Sequence, residues 1–134
     1  MALLLKDFFE TYLPKERGVS SHTIRSYSAT FQSLYAFFKD NKGIRANKLF
    51  VKDLSRRSIN DYLNWLEMKK GNKVPTRNSR LASVKAFCHY AQYKDFKNIA
   101  RWQEILSIKS KKSDMPCISF LTQEGMKTLL SEVP

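Results

Sequence analysis

The chain has 134 residues, 43% hydrophobic and 13% aromatic, with only four glycines and four prolines. That is enough apolar side chain for one folded domain without staples, and it excludes a disordered chain and a loop-rich β-sandwich. Twenty-four lysines and arginines stand against 12 acids, and the net charge of +12 favours an anionic partner: nucleic acid or an anionic membrane surface.

The opening "ALLL" meets Lys6-Asp7 at once, too short for a signal segment. The first predicted helix covers about residues 2–14, where Leu5, Phe8, Phe9, Tyr12 and Leu13 recur at helical spacing. Pro14 and Gly18 are expected to end it. A second helix is predicted over about 21–40, capped by Ser20 or Ser21. Its apolar face is Ile24, Tyr27, Phe31, Leu34, Tyr35 and Phe38, and its opposite face is polar or small: His22, Arg25, Ser26, Ala29 and Ser33. Residues 44–54 read as a loop with apolar anchors. Ser55 is the candidate cap of a third helix, about 56–70, carrying Ile59, Tyr62, Leu63 and Leu66 and stopped by Gly71-Asn72. The fourth, about 76–94, has Pro75 in its first turn and a core face of Leu81, Val84, Phe87, Cys88 and Ala91. A short helix near 100–106 holds Trp102 and Leu106. Residues 107–119, with three lysines, a proline and no periodicity, read as a basic linker. "FLTQEGMKTLL" then reads as one further helix, with Thr122 as its cap; one amphipathic helix cannot bury its own face, so 120–134 reads as the start of a truncated second domain.

The charge is concentrated. Residues 69–85, "KKGNKVPTRNSRLASVK", carry six basic groups and no acid, and the acid-free window extends from Met68 to Lys94. A helix N-terminus already carries positive dipole charge, so local electrostatics favours Asp or Glu there; an external anion resolves the conflict. Lys73, Arg77, Arg80 and Lys85 are candidates for phosphates, and Thr76, Asn78, Ser79 and Ser83 for hydrogen bonds to bases or backbone. Ser79, Ala82, Ser83 and Ala86 are small enough to let the helix lie close to a groove floor. The second helix repeats the design with His22, Thr23, Arg25 and Ser26, and no acid stands between Glu16 and Asp40. The plainer reading of such runs is a solvated face.

No catalytic or metal centre is legible. His22 and His89 lack partners at triad or ligand spacing; His89 reads as structural or surface, His22 as a cap or a nucleic-acid contact. Cys88 and Cys117 make neither a disulfide framework nor a metal spacing, and suggest a reducing compartment. No apolar run approaches the roughly 20 residues of a membrane span, so no membrane and no cofactor is expected, and the protein reads as cytoplasmic. Tyr12, Tyr27, Tyr35 and Tyr62 sit on apolar stripes and read as core.

The ordered segments "VSSHTIRSYSATFQSLYAFFKD", "VKDLSRRSINDYLNWLE", "VPTRNSRLASVKAFCHYA" and "FLTQEGMKTLL" resemble the N-terminal core-binding domain of tyrosine recombinases, the phage integrase family, and the first helix of their catalytic domain. The family's Ser-x-x-Thr and Thr-x-Asn-x-x-Leu openings are Ser20-Ser21-His22-Thr23 and Thr76-Arg77-Asn78-Ser79-Arg80-Leu81 here; Arg77 and Gly125 depart from the usual pattern. The resemblance implies an all-α, four- to five-helix SAM-like orthogonal bundle over 1–106, forming half of a clamp on double-stranded DNA, with the second and fourth helices in the major groove. It implies DNA contacts by His22, Thr23, Arg25, Ser26, Thr76, Ser79, Arg80 and Ser83. Lys73, Arg77, Lys85 and the linker lysines Lys109, Lys111 and Lys112 are added as expected phosphate contacts. The family's nucleophilic Tyr, two Arg, Lys and His-x-x-Arg set has no match here, so the chain is expected to bind DNA without cutting it. The parent is expected to act as a homotetramer on bacterial or phage DNA, and this piece as a monomer. A helical module for acidic protein partners, or a helix-turn-helix regulator, is the alternative.

Overall fold

The computed structural model describes residues 1–112, and these are all-helical, without strands. Five α-helices follow one another: α1 (Ala2–Asp7), α2 (Ser21–Lys42), α3 (Arg56–Met68), α4 (Val74–Lys94) and α5 (Ile99–Leu106). The helix at 120–134, its Thr122 cap, Gly125 and Cys117 lie outside the described residues.

The first helix departs from expectation in an informative way. It does not stop at Pro14 but widens into a π-helical segment over Phe8–Glu16 with Pro14 inside it. The i→i+5 pattern relieves the clash between a proline ring and the preceding turn that a tight α-helix would impose. Gly18, at φ 61°, then turns the chain toward α2. At the start of α2 the Ser20 hydroxyl accepts from the Thr23 N–H at 3.2 Å; at its end Gly43 takes φ 68°, a left-handed cap that only glycine adopts cheaply. α3 is capped reciprocally, with Ser55 and Ser58 each accepting from the other's backbone N–H.

α4 is the axis of the bundle and packs against all four other helices. It buries Leu81, Ser83, Val84, Phe87, Cys88, Tyr90 and Ala91, a band wider than one apolar stripe. Phe87 joins the halves of the core: its ring meets Phe8 edge-on at 5.4 Å and Trp102 edge-on at 5.7 Å. A second aromatic group, Phe37, Tyr62 and Trp65, ties α2 to α3, with the Trp65 indole donating to Asp40 Oδ2 at 3.1 Å. Each such ring contributes on the order of 2 kcal/mol by leaving water. Leu49 and Leu54 anchor the 44–54 loop through its two short 3₁₀ turns, Ala46–Lys48 and Val51–Asp53.

Beyond α5 the expected linker is not yet free chain. Ile108 is buried among the core residues. Arg56 Nη1 donates to Ser107 Oγ at 3.0 Å, so the folded unit extends past residue 106.

Candidate nucleic-acid interface

α2 and α4 lie against each other, and the polar residues expected to face an anion gather along this seam. Arg80 Nη1 donates to Thr30 Oγ1 at 3.3 Å across it. Just beside that contact, Tyr62 donates to Ser33 Oγ at 3.1 Å. Further along, Arg17, Val19 and Tyr27 share a cleft of about 360 Å³ with Ala82, Lys85, Ala86 and His89 of α4. The floor is made by small and apolar side chains, and the rim carries Arg17, Lys85 and His89. Tyr27 meets the later residues of α4 while Thr30 meets the earlier Arg80, so the two N-terminal turns flank the crossing rather than sit side by side.

The individual residues divide into three groups. His22, Arg25, Ser26, Lys73, Thr76 and Ser79 are exposed, and Lys85 is half-buried at the cleft rim. Lys73 stands at the N-cap of α4, which has no side-chain cap of its own, so the first N–H groups of that helix face outward. Thr23 is half-buried, and its hydroxyl lies 3.1 Å from that of Ser20; the Ser-x-x-Thr opening is first a helix cap.

A second group is committed inside the protein. Ser83 is a correction: at 2% exposure it cannot reach a ligand, and its hydroxyl donates to the Ser79 carbonyl at 3.2 Å. It sits on the side of α4 that packs into the bundle, where a small residue that bonds its own helix causes no unpaired polar group. Arg77 is drawn to Glu67, Nε to Oε1 at 3.2 Å, close enough to neutralise the charge though not aligned as a hydrogen bond. Lys111 also goes to Glu67, Nζ to Oε2 at 3.1 Å, while Lys109 and Lys112 remain exposed. Asn78 turns away from the seam and bonds the Lys111 backbone.

Arg80 forms the third group alone. Its Nε is buried without a hydrogen-bond partner, and no carboxylate among the described residues pairs with it. The four ion pairs among those residues draw on Asp40, Asp61 and Glu67, and none involves Arg17, Arg25, Lys73, Arg80 or Lys85. The acids thus neutralise cations around α3 and leave the seam positive. An external polyanion there replaces missing internal counter-charge. Sequence reasoning passed over Arg17 because it stands in a turn; its one signal was its position at the head of the acid-free run before Asp40. Thr30, the internal partner of Arg80, gave no signal beyond being a polar residue on a buried face.

No tyrosine is poised as a nucleophile where the chain is best packed. Burial pushes the Tyr62 phenol up, and Tyr90, buried against Asp7, is pushed up further. Among the described residues no cluster of three or more His, Cys, Asp or Glu is placed to hold a metal, and no helix is long and apolar enough to cross a membrane.

The model of the phage integrase N-terminal SAM-like domain matches residues 6–94. Two proteins of Sinorhizobium fredii (strain NBRC 101917 / NGR234) named as integrase/recombinase are similar: y4rC is 32% identical over 98% of this chain and 40% of its own length, and y4rD 28% identical over 97% and 46%. Tyrosine recombinase XerC of Rhodospirillum centenum is 26% identical over 90% of this chain and 34% of its own length. The chain therefore spans less than half the length of the curated relatives it matches. No solved structure matches it.

Proposed function

Since the chain belongs to the phage integrase N-terminal SAM-like domain family, we propose that it is the duplex-gripping part of a tyrosine recombinase. It lays the α2–α4 seam along DNA and leaves strand cleavage to residues it does not contain. The observation that carries this reading is the un-neutralised seam: Arg17, Arg25, Lys73, Arg80 and Lys85 without a carboxylate partner among the described residues. The exposed small side chains Ser79 and Ala82 let backbone and cations approach a groove closely.

In this arrangement each residue has a mechanical part. Lys73, Arg25, Lys85 and Arg17 hold phosphates and set register, with the open N–H groups of α4 adding to the attraction. Ser26, Thr76, Ser79 and His22 supply shorter hydrogen bonds to backbone or base edges. Arg80, steadied by Thr30, places its outward nitrogens in the seam, where a fixed fork suits a phosphate oxygen pair. Residues 1–106 supply the grip, 107–119 join it to the rest and 120–134 open the next domain. The full-length parent exchanges DNA strands as a tetramer, whereas this piece binds as a monomer in a bacterial or phage-infected cytoplasm.

Duplex binding measured by fluorescence anisotropy between about 50 and 200 mM salt tests it. About five phosphate contacts predict a log–log salt slope near −4 to −5. Absence of duplex affinity at 50 mM, or affinity indifferent to salt, refutes the reading.

A further inference from the structure

We propose that residues 107–111 are a strap, fastened to α4 by Asn78, which fixes where and in what direction the rest of the chain leaves the bundle. The Asn78 amide donates to the Lys111 carbonyl at 2.7 Å, and the Lys111 N–H donates to Asn78 Oδ1 at 2.9 Å. One side chain thereby satisfies both backbone groups of one residue, as a neighbouring β-strand would. Of the neutral side chains only a primary amide carries a donor and an acceptor so placed, and asparagine's reach is short enough to hold them rigidly. An aspartate in its place would lose the donor, and a serine would serve one group only.

The strap is held along its length as well as at its end. Ser107 takes the Arg56 guanidinium at 3.0 Å, Ile108 is 3% exposed in the core, and the Lys111 ammonium reaches Glu67 at 3.1 Å. The ion pair alone would carry little, because exposed pairs contribute about 0–1 kcal/mol. The buried isoleucine and the paired backbone bonds make the segment part of the fold.

The consequence rests on the reading that a larger recombinase follows. Its tether then departs from Lys112, beside the first turn of α4, and not from the end of α5 at Leu106. Five residues of nominal linker are withdrawn, about 17 Å of extended reach. A shorter tether of fixed origin raises the effective concentration of the following domain on the same stretch of DNA. Asn78 is in these terms a positioning residue and not a DNA contact.

Hydrogen exchange and limited trypsin digestion on the whole chain test this, with Asn78→Ala and Lys111→Ala compared to wild type. In the wild type the Lys111 amide is protected, and trypsin cuts after Lys112 before it cuts after Lys109. Asn78→Ala should speed exchange at Lys111 at least about tenfold and open Lys109 to cleavage, with the exchange of α2 and α3 unchanged. Lys111→Ala keeps the backbone bonds and should keep the protection. An unprotected amide in the wild type, no change in Asn78→Ala, or full release by Lys111→Ala each overturns the strap. Should Asn78→Ala fail to fold, Lys111→Pro removes the donor from the other side, and an unaltered cleavage rate after Lys109 overturns the proposal equally. Duplex affinity separates this from the DNA reading: Asn78→Ala should hold its Kd within about threefold. A loss equal to that of Arg80→Ala, with unchanged exchange, makes Asn78 a DNA contact. If no variant nor the wild type binds duplex, the function falls and the strap is still judged by exchange.

Discussion

Arg77 and Arg80 stand one helical turn apart and are interchangeable on paper, yet their surroundings give them opposite roles. Arg77 is satisfied by Glu67, while Arg80 keeps a buried nitrogen without a partner. Holding an under-paired guanidinium costs stability, and a bound phosphate would offset that cost. Arg80→Ala is expected to raise the duplex Kd about tenfold and lower the salt slope by about one. Arg77→Ala should leave the Kd within about twofold while costing about 1 kcal/mol of folding stability, since it strips a partly buried pair from a network. Anisotropy titrations and urea unfolding on the two variants decide it; equal losses of affinity would contradict the assignment. Cys88 gives a simpler residue-level test. Burial pushes its thiol up to about 12, so it stays protonated and unreactive toward thiol reagents at pH 8 until the chain unfolds.

At the level of elements, α2 depends on its cap and α4 on its slimness. Replacing Ser20 by Ala removes the acceptor for the Thr23 N–H and should cost about 1 kcal/mol, a fall of several degrees in Tm for a domain of this size. The groove-facing side of α4 is tested by Ser79→Leu together with Ala82→Leu, both at exposed positions. The double variant should melt within about 2 °C of wild type and lose at least tenfold in duplex affinity, because two added side chains hold the helix away from the groove floor. Retained affinity would mean that α4 does not enter a groove. Ser83 is unsuitable for this purpose: leucine in its buried site would overpack the core and unfold the helix for reasons unrelated to DNA.

For the whole molecule, pH separates packing from charge. Cys88, Tyr62 and Tyr90 all have proton affinities raised above their ordinary values, in each case chiefly by burial. The folded state therefore holds protons that the unfolded chain releases. That share of stability is fully present below about pH 9, the ordinary thiol value, and is lost as pH rises toward the folded value near 12. Calorimetry from pH 7 to 11 should show Tm steady to about 9 and then falling; a flat profile would mean that the three groups are wetter than their packing indicates. Salt acts on the other side of the balance. It should weaken duplex binding steeply and change Tm little, because the ion pairs within the protein are few and mostly exposed.

Helix number, order and most helix ends were legible from periodicity, caps and glycines, because these signals act between residues a few positions apart. So were the net positive charge and the two acid-free runs, which depend on composition alone. Which cations remain available was settled by tertiary packing. Glu67 reaches Arg77 and Lys111 only because α3, α4 and the segment after α5 converge, over sequence separations of 10 and 44 residues. Likewise Ser83 became core, Arg80 found Thr30 and residues 107–111 became a strap through contacts between distant segments. Local pattern carries no record of such contacts, since a side chain's chemistry says what it can bond and only the fold says what stands within reach.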